Sequence, residues 1–332
     1  MILGVDIGGT KIAVGRLSDA HNAPQPLVLS SILTAPTPAH NGPEAIVETV
    51  EALIAQLRGT AELTAVGVGT AGVVNTDGSI FSATNAITGW AGFPLSAALS
   101  FRLGVPVTVL NDVHAAAIGE QRFGAAIGKA DVLMVAVGTG VGGALLMNGQ
   151  LVLGRTGTAG SIGHTDIAGL RHTDEPRPSS GRDDISRFGA AEVAYSAYEI
   201  PRVCSCGIVG HLEPFALGPG IERSYRESTG RVSTLREIAR DAASGDAMAI
   251  RTIADGARLL GRCLASASAL LDIETIVIAG GVAQIGSSYL ATVERAFRSA
   301  TLPGPSTLEF RATTLGVTAT IAGAATAVKL PR

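Results

Sequence analysis

The sequence has little of what marks a secreted, membrane-spanning or nucleic-acid-binding chain. Its 332 residues include three cysteines, too few for a disulfide framework. The formal net charge is −3, so a basic surface for nucleic acid is not expected. No apolar run approaches the roughly 20 residues that cross a bilayer, and the N-terminus lacks the pattern of a leader peptide. We therefore expect a cytoplasmic protein without nucleic-acid or membrane partners.

Lysine is also scarce, whereas glycine is abundant. Only Lys11, Lys129 and Lys329 are lysines, and the other basic residues are arginine. The 42 glycines predict many tight turns and close backbone approaches. Hydrophobic residues make up 46% of the chain and charged residues 16%, which is enough for the core of a soluble enzyme. The length indicates two domains or one large α/β domain.

Residues 105–120 join a predicted strand to a predicted helix. Residues 105–110 are apolar and β-branched, which is typical of a buried strand. The second half is rich in alanine, which favours a helix. Asn111 and Asp112 fall at the joint, where α/β proteins usually bind ligands. Because Asp is also a favoured helix N-cap, this stretch alone leaves a structural and a catalytic interpretation open.

Two glycine-rich turns, each between apolar strand-like segments, have the same plan. The first is Gly8–Lys11 with Asp6 at its entrance, and the second is Gly138–Gly143. Glycines let backbone N–H groups approach a phosphate, and each turn also has a threonine hydroxyl. The first turn lacks the spacing of a Walker loop. A single turn of this kind could be an ordinary hairpin, but the pair indicates a duplicated phosphate-binding element.

The last part of the chain holds a third glycine turn and a cysteine pair. A strand over 275–279 ends in Gly280-Gly281, and helical periodicity covers 236–244, 247–271, 289–300 and 318–328. Cys204 and Cys206 have the spacing Cys-x-Cys, which suits a metal better than a disulfide. The alternative is two buried free cysteines. Residues 171–187 are polar and contain prolines, which predicts an exposed excursion.

Five of these pieces, in this order, resemble motifs of the ROK family of sugar kinases and sugar-responsive repressors, part of the hexokinase, Hsp70 and actin superfamily. From the N-terminus they are Asp6–Lys11 (first phosphate motif), Asn111–Glu120 (catalytic segment), Gly138–Gly143 (second phosphate motif), Cys204–Glu213 after Gly163-His164 (zinc signature) and Gly280–Val282 (adenosine-side motif). The resemblance runs from residue 4 to about residue 325, which is essentially the whole chain.

The resemblance implies an α/β fold of the two-domain actin-like ATPase (ribonuclease H-like) type with a central cleft. The small domain would be residues 1–110 plus 315–332. The large domain would be residues 111–314, with the zinc loop and a polar insertion near 165–203. Family enzymes phosphorylate the primary 6-hydroxyl of a hexose with ATP and Mg²⁺, and dimers are expected. Family repressors carry an N-terminal helix-turn-helix; here the first strand begins at Ile2, which favours an enzyme over a non-catalytic sugar-binding regulator.

The catalytic role follows from the chemistry of the acceptor. A sugar hydroxyl is a poor nucleophile, and a carboxylate at hydrogen-bond distance can accept its proton during phosphoryl transfer. The resemblance assigns this general base to Asp112 and a sugar contact to Asn111. Asp6 would help to hold the metal-nucleotide; otherwise it is a solvated acid at a strand end. The residues implied for ATP and its phosphates are Asp6, Gly8, Gly9, Thr10, Lys11, Gly138, Thr139, Gly140, Gly142, Gly280 and Gly281.

Sugar and zinc contacts are implied on the loops. For the sugar these are Gly72, Asn85, Ser161, His164 and Glu213. The alternative to a sugar contact for Asn85 is a structural role in a turn. A structural Zn²⁺ would be held by two thiolates and two imidazoles, a set that suits tetrahedral zinc: His164, Cys204, Cys206 and His211. Many relatives have a third cysteine where this chain has His211.

Two departures from the family pattern affect the expected substrate. Many relatives have a glutamate at the position of Ser161, and that glutamate contacts the anomeric end of the sugar. A short neutral side chain there fits glucose recognition less well, so N-acetylmannosamine or a sugar-like cyclitol are alternatives. The second departure is the 39 residues between His164 and Cys204, for which a lid, a dimer element and a disordered loop all remain open.

Overall fold

Two five-stranded sheets carry the fold. The computed structural model describes residues 1–17, 29–84, 86–167 and 201–328, so Asn85 and residues 168–200 of the predicted insertion lie outside the described residues. The strands in the described ranges are β1 Ile2–Ile7, β2 Lys11–Leu17, β3 Leu29–Pro36, β4 Ala65–Thr70, β5 Val73–Val74, β6 Ile80–Ser82, β7 Val107–Asn111, β8 Val132–Val137, β9 Val141–Met147, β10 Gln150–Val152, β11 Thr275–Ala279 and β12 Glu309–Ala312. The α-helices are α1 Pro43–Arg58, α2 Leu95–Leu103, α3 Asp112–Phe123, α4 Glu213–Ala216, α5 Gly218–Thr229, α6 Leu235–Ala243, α7 Ala247–Leu271, α8 Ser287–Ala300 and α9 Ala319–Thr326.

Both sheets have the same strand order. The first is β3-β2-β1-β4-β7, and the second is β10-β9-β8-β11-β12. In each sheet three neighbouring strands pair in parallel, and two further strands extend one edge through antiparallel pairing. A glycine turn joins the first parallel strand to its antiparallel neighbour, β1 to β2 and β8 to β9. The carboxyl ends of parallel strands meet at one edge of a sheet, where ligands bind in open α/β folds, so both turns lie at such an edge.

The helices form layers around the sheets. α1 and α2 cover one face of the first sheet and share its core. α9 lies on the other face, where its backbone at Ile321 and Ala324 approaches Gly4 and Gly67. α3 packs on the second sheet through Val113, and α4 to α8 build the large core on its opposite face. The pair α3–α9 therefore lies between the two sheets.

The contact between α3 and α9 is made by backbone rather than by large side chains. A Cβ built on Gly323 would lie 1.7 Å from the carbonyl oxygen of Ala115, and one on Gly119 would lie 2.3 Å from that of Ala319. Both distances are far below any real Cβ contact, so glycine is required at both positions. The two helices that connect the sheets are thus closely packed.

Two helices appear that sequence patterns did not predict, α4 and α5. Pro214 and the run Gly218-Pro219-Gly220 resemble helix breakers, yet each proline lies in the first turn of its helix. Proline is tolerated there because the first N–H groups of a helix have no intrahelical partner. α5 ends at Thr229 and is followed by Gly230, a C-cap in the left-handed conformation with φ 72°. The two prolines therefore mark the start of a helix rather than its end.

In the described residues, no helix is both long and apolar enough to cross a membrane. The two-domain division, 1–110 plus 315–332 against 111–314, stays a prediction.

Candidate active site

Asp112 is the first residue of α3 and directly follows β7. The N-cap of this helix is Asn111, whose Oδ1 accepts hydrogen bonds from the backbone N–H groups of Val113 at 2.9 Å and His114 at 3.2 Å. The Asn111 amide also donates to the carbonyl oxygen of Gly72 at 3.0 Å. Asp112 Oδ1 shares the Val113 N–H at 2.9 Å. The neutral side chain therefore caps the helix, and the carboxylate lies one position further along.

Asp6 and Asp112 form a pair of partly buried carboxyl groups. Burial, followed by the negative charge of Asp112, raises the pKa of Asp6 to about 7, while Lys11 acts to lower it. Burial also raises the pKa of Asp112, opposed by its backbone hydrogen bonds. Two carboxylates that repel each other favour either a retained proton or a bound cation. A raised pKa also makes a carboxylate a better general base near neutral pH.

The first glycine turn is held at its base and exposed at its tip. Gly8 N–H donates to the carbonyl oxygen of Lys11 at 3.0 Å. Thr37, just beyond β3, donates its hydroxyl to the carbonyl oxygen of Gly8 at 2.6 Å and its N–H to that of Thr10 at 3.0 Å. Gly9, Thr10 and Lys11 are exposed, so this tip is accessible to a ligand.

The second glycine turn is held by the starts of two helices. Gly218 N–H, at the start of α5, donates to the carbonyl oxygen of Gly138 at 2.8 Å. Val141 N–H donates to Oε2 of Glu213, the first residue of α4, at 3.1 Å. A Cβ on Gly142 would lie 2.8 Å from Cγ2 of Val113. The turn therefore leads into a strand that packs against the residue next to Asp112.

The third glycine segment lies beside the second turn because β11 is paired in parallel with β8. Gly280 has φ 92°, and a Cβ there would lie 2.3 Å from the carbonyl oxygen of Val137. Gly281 has open space around it. The predicted adenosine-side residues and the second phosphate turn thus share one edge of the second sheet, while the first turn lies on the other sheet.

The four predicted zinc ligands come together, although His164 is 40 residues from Cys204. His164, Cys204, Cys206 and His211 each offer a ligand atom, and these atoms lie within 4.8 Å of one another. Cys204 Sγ is 3.4 Å from His164 Nδ1, and Cys206 Sγ is 3.2 Å from His211 Nδ1. Two sulfur and two nitrogen donors at this spacing fit a tetrahedral zinc site. Zinc itself stays a proposal.

Of the residues predicted to contact a sugar, Glu213 has the most extensive hydrogen bonding. Besides Val141, its carboxylate accepts from the Ser205 hydroxyl at 2.5 Å and the Ser205 N–H at 3.4 Å. Ser161 directly precedes a 3₁₀ turn, Ile162–His164, and is partly buried. The sugar roles of Gly72, Ser161, His164 and Glu213 stay predictions, as do the phosphate and base assignments.

His114 connects α3 to the loop that ends at Ser161. Burial lowers its pKa, while a hydrogen bond to the backbone of Ala159 acts in the opposite direction. The side chain is only 5% exposed. The helix bearing Asp112 and the loop before Ser161 are therefore tied together. The role of His114 has no signal in the sequence, because a histidine in an alanine-rich helix forms no recognisable local pattern.

Arg202 and Glu120 are buried charged residues for which the sequence predicted no role. Arg202 supports the predicted metal loop. Arg202, 1% exposed, donates to the carbonyl oxygens of Pro214 at 3.0 Å and Gly220 at 3.1 Å and pairs with Glu227 at 2.5 Å. It fixes the chain just before Cys204 to α4 and α5. No local pattern distinguishes a buried arginine from an exposed one.

Glu120 ties the second connection between the sheets to α3. Its buried carboxylate accepts from the N–H of Ala125 at 2.7 Å and of Leu315 at 2.9 Å, and from the hydroxyl of Thr313. Residues 313–318 lead from β12 to α9. The Glu120 carboxylate therefore holds α3, which follows β7, to the segment that leads from β12 to α9.

Two sheets of the same strand order, a glycine turn on each, and a helix-start carboxylate between them define an actin-like ATPase fold. A search for similar structures supports this class. A ROK hexokinase from Thermus thermophilus matches with a TM-score of 0.77 and 30% identity, covering 98% of this chain and 96% of the other. A ROK glucokinase from Streptomyces griseus, in complex with glucose and AMPPNP, matches at 0.75 and 30% identity, covering 98% of both chains. The predicted fold class is confirmed.

The chain belongs to the ROK family, whose sequence model matches residues 2–330. It is 31% identical over 335 residues to a glucokinase of Halalkalibacterium halodurans, covering 98% of this chain and 94% of the relative. It is 30% identical over 291 residues to an N-acetylmannosamine kinase of Citrobacter koseri, covering 88% and 86%. The predicted family and the predicted enzyme class, a sugar kinase, are confirmed.

Proposed function

We propose that this enzyme transfers the γ-phosphoryl group of ATP to the primary, C6-type hydroxyl of a hexose such as glucose or N-acetylmannosamine. The observation that carries the proposal is the position of Asp112. It lies at the start of α3, interacts electrostatically with Asp6 on the first sheet, and is followed by Val113, which packs on the strand after the second glycine turn. A base at this joint lies between the elements that would bind phosphates.

Asp112 would orient the acceptor hydroxyl and take its proton as the phosphoryl group moves. Phosphoryl transfer needs little more from a protein than positioning and stabilisation of charge. The raised pKa of Asp112 suits a base that holds a proton transiently. Asn111, rigid because it caps α3 and holds Gly72, would position the sugar beside it.

The glycine turns would bind ATP. Backbone N–H groups and threonine hydroxyls suit the phosphates, and Lys11 adds a positive charge next to the first turn. The residues proposed for the phosphates are Asp6, Gly8, Gly9, Thr10, Lys11, Gly138, Thr139, Gly140 and Gly142. Gly280 and Gly281 would accommodate the adenosine side.

Two metals are proposed. The Asp6 carboxylate, with a pKa raised in part by Asp112, is suited to hold Mg²⁺ with the nucleotide, and this ion would neutralise phosphate charge. His164, Cys204, Cys206 and His211 would hold a structural Zn²⁺. That ion would stabilise the loop next to Glu213, so that His164 and Glu213 keep a defined position for contacts with the sugar, together with Asn85 and Gly72.

The second candidate function, a kinase of an unusual sugar or a sugar-like cyclitol, is favoured by Ser161. Its short neutral side chain cannot supply the carboxylate that many relatives place there. A coupled assay across glucose, mannose, N-acetylglucosamine, N-acetylmannosamine and cyclitols distinguishes the two. The first candidate predicts the highest kcat/KM for one of the hexoses, and a cyclitol with the highest value would replace it.

The proposal is tested by Asp112→Asn. Loss of the base should lower kcat by about 10²–10⁴-fold, while the fold persists because Asn is nearly isosteric. ADP release with the best acceptor is the measurement, and circular dichroism checks the fold. Asp272→Asn is the matched control, since Asp272 is exposed with φ 47°, a conformation that Asn adopts readily.

Near wild-type turnover in Asp112→Asn would rule out this base. Sugar binding by the wild-type protein without ADP release would indicate the non-catalytic regulator instead. From family membership we also propose a cytoplasmic homodimer, which light scattering of the purified protein tests for its oligomeric state.

A further inference from the structure

Glu213 joins two segments that are distant in sequence, the metal loop (residues 203–211) and the second glycine turn (residues 138–143). Glu213 is 7% exposed. One oxygen accepts from the glycine turn and the other from the metal loop. A buried carboxylate held by several N–H and O–H donors is rigid, because losing any of these bonds leaves a desolvated group unpaired.

On the side of the turn, Glu213 determines the backbone geometry. Oε2 accepts from Val141 N–H at 3.1 Å, and a Cβ on Gly140 would lie 3.3 Å from the same oxygen. Val141 N–H is thereby committed to Glu213 rather than to a ligand. The neighbouring Gly138 carbonyl is held by α5, so both ends of the turn depend on the segment that follows the metal loop.

On the side of the loop, Ser205 is the main partner. Its hydroxyl and N–H donate to Oε1 at 2.5 Å and 3.4 Å, and Cys204 Sγ lies 3.3 Å from the same oxygen. Ser205 stands between Cys204 and Cys206. Any rearrangement of these two sulfur atoms therefore moves the donors that hold Glu213.

We propose that Glu213 is a positioning residue that couples the metal loop to the second glycine turn, so that an occupied Cys/His cluster and nucleotide phosphates strengthen each other's binding. The inference rests on the proposed function, which puts phosphates at the turn and a metal at the cluster. It does not exclude a sugar contact, since Oε2 accepts from Val141 N–H and has a second lone-pair position. Coupling between two binding sites is reciprocal, so it can be measured from the metal.

The experiment measures the zinc affinity of the protein by equilibrium competition with a chromogenic chelator, with and without saturating AMPPNP. In the wild type, AMPPNP should lower the zinc Kd by about fivefold or more, a common size for such coupling. Ser205→Ala deletes the 2.5 Å hydrogen bond and should reduce the effect to less than about twofold. Ser205→Thr keeps the hydroxyl and should restore it. Ser266→Ala, an exposed serine of α7 bonded to its own helix, should behave as wild type.

The outcomes separate this inference from the proposed function. Calorimetry that shows AMPPNP binding, together with an unchanged zinc Kd in the wild type, would overturn the coupling and leave the kinase intact. Equal AMPPNP effects in the wild type and Ser205→Ala would also overturn it. A protein that binds neither zinc nor AMPPNP would overturn both proposals. The wild-type comparison needs no variant, so it decides even where a variant fails to fold.

Discussion

The two glycine turns have the same topology but are supported in different ways. The first is braced by Thr37, which follows β3, and has Asp6 two residues before Gly8. The second is braced by the first residues of α4 and α5 and has Ala136 two residues before Gly138. The repeated sheets supply two similar edges, but the acid two residues before the first turn is replaced by alanine before the second, which Glu213 contacts from α4 instead.

This difference separates two tasks. The Asp6 carboxylate faces the negative charge of Asp112, which suits a cation, whereas the Glu213 carboxylate accepts hydrogen bonds from Val141 and Ser205 that fix the second turn. In the proposed function, Asp6 would therefore hold the metal side of the nucleotide on the first sheet. The second sheet carries the additions that fix a turn in place: α4, α5 and the metal loop.

The largest effect on turnover should come from removing the charge of Asp6, which has no counterpart two residues before the second turn. Asp6→Asn should lower kcat by about 10³-fold, through lost stabilisation of the metal-nucleotide. ADP release at saturating substrates measures it, with Asp272→Asn as the control. A turnover within tenfold of wild type would mean that the two edges do not differ in this task.

The next effect is on stability and concerns the residues that directly follow a strand beside the turns. Gly280→Ala should lower the free energy of unfolding by about 3 kcal/mol, because φ is 92° and a Cβ would meet the Val137 carbonyl oxygen. Gly281→Ala, in open space, should change it by less than about 0.5 kcal/mol. In the first sheet, the residue that corresponds to Gly280, directly after β4, is Ala71. Denaturant unfolding of both variants tests the contrast, and equal stabilities would contradict it.

The smallest expected effect is on the pH dependence of stability. The pKa of Asp6 is raised to about 7 from an unfolded value of 3.8, so the folded state holds the proton more tightly. Its contribution is fully present below pH 3.8 and is lost as pH rises through 7.

Asp6→Asn should therefore stabilise the metal-free protein at pH 8 relative to pH 4. The pKa shift sets a ceiling of about 4 kcal/mol, and partial exposure with screening reduces the expected gain to about 1–2 kcal/mol. Urea unfolding at both pH values measures it. An inactive variant that is more stable at pH 8 would identify Asp6 as a functional charge, whereas an equal change at both pH values would not.

Several site features follow from local sequence alone. The turn at Gly8–Lys11 and the strand-to-helix joint at Asn111-Asp112 were predicted because strand and helix periodicities change there within a few residues. α5 was missed because Pro219 has opposite meanings inside a helix and at its first turn. The roles of His114, Arg202 and Glu120 depend on partners tens or hundreds of residues away, which no local pattern records.

By itself the sequence determined the order of strands and glycine turns, the position of the Asn111-Asp112 joint and, through its motifs, membership of the ROK family. These depend on spacing along the chain. Only the tertiary structure decided that Asn111 rather than Asp112 caps α3, that Glu213 bridges Ser205 and Val141, and that the burial of Asp6 raises its pKa. Hydrogen-bond partners and desolvation depend on which distant segments meet, and packing decides that.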